Sequence, residues 1–469
     1  MTLRHNDHMV IKIANGAGFL GDNLDAPRLL VEGATVDYLT LEYLAELTMS
    51  ILARQREKDL VAGYARDFLD VLKGLIPALK TQPQLKIVSN AGGVNPTACA
   101  AAAAAILSDA GLRKINLGVV AGDDLLAHLQ ELKSKGCRFE NLDTRQPLAD
   151  LKAPIVSASA YLGAQPIADA LAAGARIVIT GRVADASLTV GPAMHEFGRK
   201  WDDWNFLAGA SAAGHLIECG AQVTGGLYRP WQNLDLANVG YPIAEIAEDG
   251  SGVITKPAGT GGIVNRRTVI EQLGYEIGDP AHYLTPDVDV DFTTVEIQEL
   301  GPDRVQVRGA TGRPAPANYK VSLAYEDGFT ANGMLVVYGP DCLEKAHACG
   351  KIILDRVQRA GFKLEQSLVE LLGAGGAVPL VRLSATQSVP GIRPSEVVLR
   401  VSARDSRREA IERFAKEFAP LITSGPPGVA GYAAGRPQVR SVYAYWPALI
   451  PKDLVRPTIE VRLAGQWIS

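Results

Sequence analysis

Asp185 closes the run Thr180-Gly181-Arg182-Val183-Ala184-Asp185, three residues after an arginine. A carboxylate beside a guanidinium in a turn can hold a polar ligand and move a proton. His215, Glu218 and Cys219 stand at i, i+3 and i+4 of "GHLIECGAQVTGG", so all three project from one face of a helix. That spacing suits acid/base work, and Asp185, His215 and Glu218 are the candidate catalytic residues. No metal site is expected, because further ligands at zinc-type offsets are missing. A buried histidine beside a small cysteine is the structural alternative.

A second set of residues could bind substrate: Asn15, Asp22, Glu42, Asn90, Asn95, Asp123, Ser157, Tyr161 and Arg182. Each follows a strand-like run, and Asn, Asp and Gly are common turn formers at any one such place. Six polar loops together suit a shared pocket better. A third set is Lys256 with Gly259, Thr260, Gly261 and Gly262, ahead of a helix that carries Arg266 and Arg267. Free amides and cations there make an anion or phosphate cradle, with a tight turn as the alternative. It lacks the Gly-Lys-Ser/Thr ending of a Walker A loop.

Gly16-Ala17-Gly18-Phe19-Leu20-Gly21 has the spacing of a dinucleotide fingerprint, and Glu42 falls 26 residues after Gly16, near where a ribose-binding carboxylate belongs. Yet the best helix start is Asp25-Ala26-Pro27, beyond the motif instead of inside it. Asp22 and Asp25 would also repel a pyrophosphate. An NAD(P)-dependent oxidoreductase therefore stands as the alternative function. A serine hydrolase elbow is missing, and no cysteine has an obvious basic partner.

The elements that must position these residues show in the hydrophobic pattern. Val10–Asn15, Val36–Glu42, Leu85–Asn90, Ile115–Gly122, Pro154–Ser159 and Arg176–Gly181 are short, mostly apolar runs separated by alanine-rich amphipathic stretches. This alternation predicts an α/β fold with a doubly wound, mostly parallel sheet of about six strands, whose carboxyl ends carry the site. From about Tyr241 period-two runs predict an α+β domain with antiparallel strands. The expected division is 1–240, a Rossmann-like domain, and 241–469, a lid and oligomer interface that includes the glycine-rich loop Thr423–Arg440.

The 469 residues are 47% hydrophobic and 21% charged, with a formal net charge of -4. Such a chain has ample core and intermixed charge, which argues against disorder and against nucleic acid as the main partner. Five scattered cysteines without a CxxC pair fit a reducing compartment. With no signal-like start and no membrane-length apolar run, a cytoplasmic protein is expected.

The stretches "GAGFLGD", "VDYLTLEYLAELT", "NAGGVNP", "AYLGAQPIADALAAGARIVITGRVADASL", "GHLIECGAQVTGG" and "KPAGTGGIV" with "EQLGYEIGDPAHYLTPDVDVDF" closely resemble the acyclic terpene utilisation (AtuA) family, amino-terminal-domain type. The resemblance runs from about residue 10 to about 365 and is most specific from Ala160 to Leu188. Many relatives look as though they end in a ferredoxin-like module with a basic Gly-Asp-Lys-Gly motif. This chain lacks the motif, which implies that its last hundred residues differ and that a small, separately encoded ferredoxin-like subunit supplies the module.

The resemblance implies bacterial catabolism of branched or terpenoid acids, often beside acyl-CoA enzymes, and transfers no catalytic residue. Together the readings predict a lyase, hydratase or isomerase. Its substrate would be a small branched hydroxy- or enoyl-carboxylate or the coenzyme A thioester, with no other cofactor. Self-association is expected from the alanine-rich helical faces, and a non-catalytic subunit of an acyl-CoA-processing complex is the remaining alternative.

Overall fold

The structure, a computed structural model, describes residues 9–376, 394–432 and 435–468. The chain forms two compact units, one of residues 1–324 with 445–469 and one of residues 325–444. The change of texture near residue 241 falls inside the first unit.

That unit opens as the alternation predicts: β1 (Val10–Asn15), α1 (Ala26–Gly33), β2 (Tyr38–Leu41), α2 (Glu46–Lys58), α3 (Asp67–Thr81), β3 (Lys86–Ser89), α4 (Pro96–Asp109) and β4 (Asn116–Ala121). After a short helix, α5 (Leu129–Ser134), come β5 (Ile155–Ala160), α6 (Gln165–Ala172), β6 (Ile177–Thr180), α7 (Ser187–Phe197) and α8 (Trp204–Glu218). Pro at the first turn starts α1, α4 and α6, where its missing N–H costs nothing. The left-handed Gly198 ends α7.

Five strands, not six, build the parallel core, in the order β1-β2-β3-β6-β4. The run Pro154–Ser159 does form a strand, β5, but it leaves this sheet and pairs with β14 (Asn318–Tyr338). Its backbone is engaged there and against the loop after β4: Tyr161 N–H donates to the Lys320 carbonyl at 2.9 Å and Ala160 N–H to Asp123 at 2.8 Å. Period alone cannot separate a strand inside the sheet from one laid over its end.

A further revision concerns the antiparallel strands after residue 241. β7 (Ile243–Ala247) and β8 (Gly252–Thr255) precede α9 (Arg266–Leu273), β9 (Tyr283–Leu284), β10 (Asp289–Asp291), β11 (Glu296–Gly301), β12 (Arg304–Arg308) and β13 (Thr311–Arg313). Four of these strands extend the first sheet from its β1 edge, in the order β11-β12-β8-β7-β1, and Thr458–Leu463 closes the β4 edge, giving ten strands. Open edges of a long apolar sheet invite pairing, and the later chain covers both. β9, β10 and β13 form a small antiparallel sheet.

Leu39, Leu41, Ile87, Leu117 and Ile179 sit in one core with residues of α1, α2, α3 and α4. Tyr38, one position out of phase with Leu39, reaches Glu196 of α7, as the alternation of strand side chains requires.

In the second unit, strands 366–372 and 396–405 and the later part of β14 form an antiparallel sheet with Val429–Gly431. Its core includes Leu335, Ile353, Leu399 and Phe414. The loop Thr423–Arg440 begins in this unit, and its residues 433 and 434 lie outside the described residues. No helix among the described residues is long and apolar enough to cross a membrane.

Candidate active site

Parallel register places the ends of neighbouring strands side by side: Asn15 opposes Thr40, Leu41 opposes Ser89, and Ser89 opposes Ile179. The residues one or two places further on therefore meet. The Asn90 carboxamide oxygen accepts from Tyr43 N–H at 2.8 Å, and its amide donates to Glu42. Glu42 also accepts from Leu44 N–H at 2.8 Å. Over this pair lies Arg182, only 2% exposed. Its guanidinium is 3.1 Å from Asp185, 3.8 Å from Glu42, and donates to the Leu44 carbonyl. It stacks 4.1 Å from the Tyr161 ring centroid, a cation–π arrangement. The Tyr161 hydroxyl donates to Glu46 at 2.7 Å, and Lys320 reaches the same carboxylate oxygen at 3.3 Å.

The second catalytic candidate group comes from the end of α8. The buried His215 places Nδ1 3.0 Å from Glu218 Oε1, and its ring packs against Tyr283 and Phe292 at 5.4 and 5.8 Å. Asn15 is what anchors this helix end, since its side-chain amide donates to the carbonyls of Ile217 and Glu218, both at 2.8 Å. The glycine motif serves the same junction. A Cβ on Gly18 would lie 2.7 Å from the carbonyl carbon of Cys219, so only glycine lets the turn approach. Gly18 N–H donates to Asp22 at 2.8 Å, and α1 starts at Ala26 beyond the motif. Close chain packing accounts for Gly18 without a dinucleotide.

Electrostatics joins the two groups. Burial, reinforced by Asp185 and opposed by Arg182, holds the Glu42 carboxyl well above the usual range. Burial also raises Asp185, against the pull of Arg182, although its side chain keeps 36% of its surface open. Glu218 is pushed up to about 7, chiefly by burial, with His215 opposing and Asp185 and Glu276 adding to the rise. Burial pulls the His215 imidazole down, but the Glu218 hydrogen bond and charge outweigh it and the net direction is upward. Both members of the dyad therefore hold their protons more strongly than in free solution.

Glu46 differs: burial would raise it, yet the Tyr161 hydrogen bond, its own backbone N–H and Lys320 hold it at about 2. Within the group, Glu42 Oε2, Arg182 Nε, Asp185 Oδ1, His215 Nε2, Glu218 Oε2 and Gln272 Oε1 are buried without a hydrogen-bond partner. Each is costly to leave so unless water or a ligand reaches it. At Asp185 Oδ1 the contact with Arg182 is an ion pair without hydrogen-bond alignment.

Other predicted residues are engaged in structure. Asp123 is buried, takes Arg182 N–H at 2.8 Å, and is raised to about 7 by burial. Asn95 caps α4 and donates to the Leu60 and Ala62 carbonyls. Asp22 also accepts from the Tyr241 hydroxyl. Ser157 is buried on β5. Lys256 donates to the Thr260 carbonyl and pairs with Asp303 at 3.0 Å. The amides of Thr260 and Gly261 donate to Pro257 and Asn238, while Gly259 and Gly262 hold positive φ. These contacts tie the loop to itself and to Asn238 and Asp303.

Sequence reasoning missed Glu46, Gln272, Tyr283 and Lys320. Glu46, four residues past Glu42, carried a signal; the others lie far along the chain and carried none. Among the described residues, no group of three or more His, Cys, Asp or Glu side chains is placed to hold a metal ion.

The family described as acyclic terpene utilisation family protein AtuA matches residues 11–461, reaching well past the stretches in which the resemblance is visible by eye. No curated protein and no solved structure matches the chain.

Proposed function

The chain belongs to the acyclic terpene utilisation family, and from that premise we propose that it is an acid/base enzyme of acyclic terpenoid breakdown. The substrate is a small branched hydroxy- or enoyl-acyl compound, and the reaction is a hydration, isomerisation or carbon–carbon cleavage next to the acyl carbonyl. Each needs a base to take a proton near that carbonyl, a donor to steady the developing enolate oxygen, and an acid to return a proton.

The observation that carries this reading is the set of buried, unpartnered polar atoms on Glu42, Arg182, Asp185, His215 and Glu218, with Arg182 between Glu42 and Asp185, His215 beside Glu218, and Asp185 close enough to act on Glu218. Asp185, partly open and unaligned with its arginine, is the first candidate for proton transfer. His215 with Glu218 is the second. When Nδ1–H donates to Glu218, the bare Nε2 is a base. Glu42, held protonated, can donate to an oxygen, in the manner of carboxylic acids kept neutral by an apolar site. The raised carboxyls thus support acid roles, and the imidazole a base role.

The test uses purified protein in deuterium oxide with a panel of methyl-branched enoyl and hydroxyacyl thioesters, read by mass spectrometry for deuterium uptake and for addition or loss of water. Asp185→Asn should cut exchange by about 100-fold or more, the usual scale for a lost acid/base group, with an unchanged circular dichroism spectrum. Near-normal exchange would remove Asp185 from the mechanism.

A further inference from the structure

The ten-stranded sheet ends on Thr458–Leu463, which pairs with β4 on one side and, among the described residues, with no strand on the other. Two bonds fix its backbone directions. Ala464 N–H donates inward to the Ile115 carbonyl at 2.8 Å, and Leu463 N–H donates to the Gln466 side chain at 3.0 Å. Successive residues of an antiparallel strand direct their amides to opposite edges, so Ile459, Val461 and Leu463 turn theirs outward. The side chains of Ile459 and Leu463 are exposed at this edge, 39% and 40%, and share one face with Val461. Glu460 and Arg462 stand on the other face, paired with each other, and Arg462 also lies over the Trp467 ring.

The run Ile459-Glu460-Val461-Arg462-Leu463 is its own complement when reversed. Laid antiparallel against a second copy about a two-fold through Val461, Ile459 meets Leu463 and Glu460 meets Arg462, each twice, as an isologous contact requires. Ladder bonds form only between residues whose amides point outward, which leaves few registers open. The next allowed register on either side sets Glu460 against Glu460 or Arg462 against Arg462, and like charges directly opposite destabilise a sheet. In the charge-matched register Val461 faces Val461 and Ile459 faces Leu463 as hydrogen-bonded pairs. Glu460 and Arg462 then fall in the non-hydrogen-bonded pairs, where side chains come closest. Pro457, which has no N–H to give, ends the ladder on one side.

The opposite end of the sheet is built differently. The charged residues of β11 are both acids, Glu296 and Glu299, and its register breaks between Glu299 and Gly301. Like charge and a bulge both blunt an edge against self-pairing.

We propose that the Thr458–Leu463 edge receives a second copy of this chain, forming a two-fold dimer whose sheets continue through one antiparallel ladder. In the single chain Gln466 holds the Leu463 N–H; in the dimer the carbonyl of the partner's Ile459 takes its place. The two-fold stands perpendicular to the sheet, so the carboxyl ends of the parallel strands face opposite ways in the two protomers, and the candidate sites with them.

Sedimentation equilibrium of the full chain tests this, with circular dichroism as the check on folding. The wild-type protein should have the mass of two chains at micromolar concentration. Glu460→Arg alone and Arg462→Glu alone should each raise the dimer Kd by about ten- to hundredfold, since two cross-strand pairs turn from attraction to repulsion. The double variant should return to within about threefold of wild type, because the charges again match across the two-fold. Val461→Pro removes the central N–H donors and should give a folded monomer, as proline is tolerated on an edge strand. A monomeric wild-type protein would overturn the proposal. So would a dimer that survives Val461→Pro, or a double variant that stays as weak as the single ones.

Discussion

Arg182→Met tests whether the guanidinium holds the site together by charge. The side chain is 2% exposed and faces Asp185 at 3.1 Å, Glu42 at 3.8 Å and the Tyr161 ring at 4.1 Å. Methionine roughly keeps the volume and removes the charge, leaving two buried acids without their cation. Breaking a buried pair from one side costs about 3–5 kcal/mol when the abandoned group is ionised.

The pH dependence gives the sharper test. Glu42 and Asp185 have folded pKa values raised above their unfolded ones. The stability held by their neutral forms is therefore fully present below the unfolded value, near 4, and lost as pH rises through the folded one. Arg182 opposes that rise, so without it both acids stay protonated to higher pH, and the loss between unfolded and folded values grows. The substitution should cost about 1–2 kcal/mol at pH 5 and about 3–5 kcal/mol at pH 8. Adding Glu42→Gln and Asp185→Asn to Arg182→Met should recover most of the difference.

Urea unfolding followed by tryptophan fluorescence reads this directly. All five tryptophans, Trp201, Trp204, Trp231, Trp446 and Trp467, belong to the first compact unit, so the signal reports the unit that carries the site. A cost under about 1 kcal/mol at pH 8, or the same cost at pH 5 and pH 8, would refute a site held by matched charge.

Gly18→Ala should destabilise by about 1–3 kcal/mol and lower deuterium exchange as well, because its Cβ would meet the Cys219 backbone at the end of α8; denaturation and exchange measured on the same sample check both. Asp123→Asn should flatten the stability profile between pH 4 and pH 7. Its folded carboxyl is raised to about 7 from an ordinary 3.8, so the neutral form's contribution is present below about 4 and lost toward 7, an effect of about 4 kcal/mol at 1.36 kcal/mol per pH unit. Titration with NAD(H) and NADP(H) should leave the tryptophan fluorescence without a saturable change, since the glycine turn packs on α8 and its Gly18 amide is engaged by Asp22.

The order of strands and helices up to α8 was readable because each element repeats its own period and is bounded by Gly or Pro. Sheet membership was not. β5 has the same texture as β6, yet β6 lies between β3 and β4 while β5 pairs with β14. What separates them is long-range pairing with Lys320, more than 150 residues away, and no local pattern encodes that. The strands from residue 243 to 308 alternate as antiparallel strands should, and the sequence therefore reads as a change of domain. In the fold they continue the first sheet, where they cover what would otherwise be an open apolar edge at β1.

The site divides along similar lines. Glu42, Asn90, Arg182 and Asp185 follow from the rule that ligands gather beyond the carboxyl ends of parallel strands, and the structure brings these four together. Asn15 sits at the same edge but acts on backbone, clamping the last turn of α8. That contact explains why residues 200 positions apart behave as one group: the first strand fixes the helix end that carries His215 and Glu218. What the sequence could not convey is the balance of charge. Residue types show acids and bases in adjacent loops, but whether a cation is free or already faced by a carboxylate depends on ångströms. Lys320 and Glu46, 274 positions apart, settle that balance on one flank of Arg182. Once folded, Arg182 and Lys320 each already face a carboxylate.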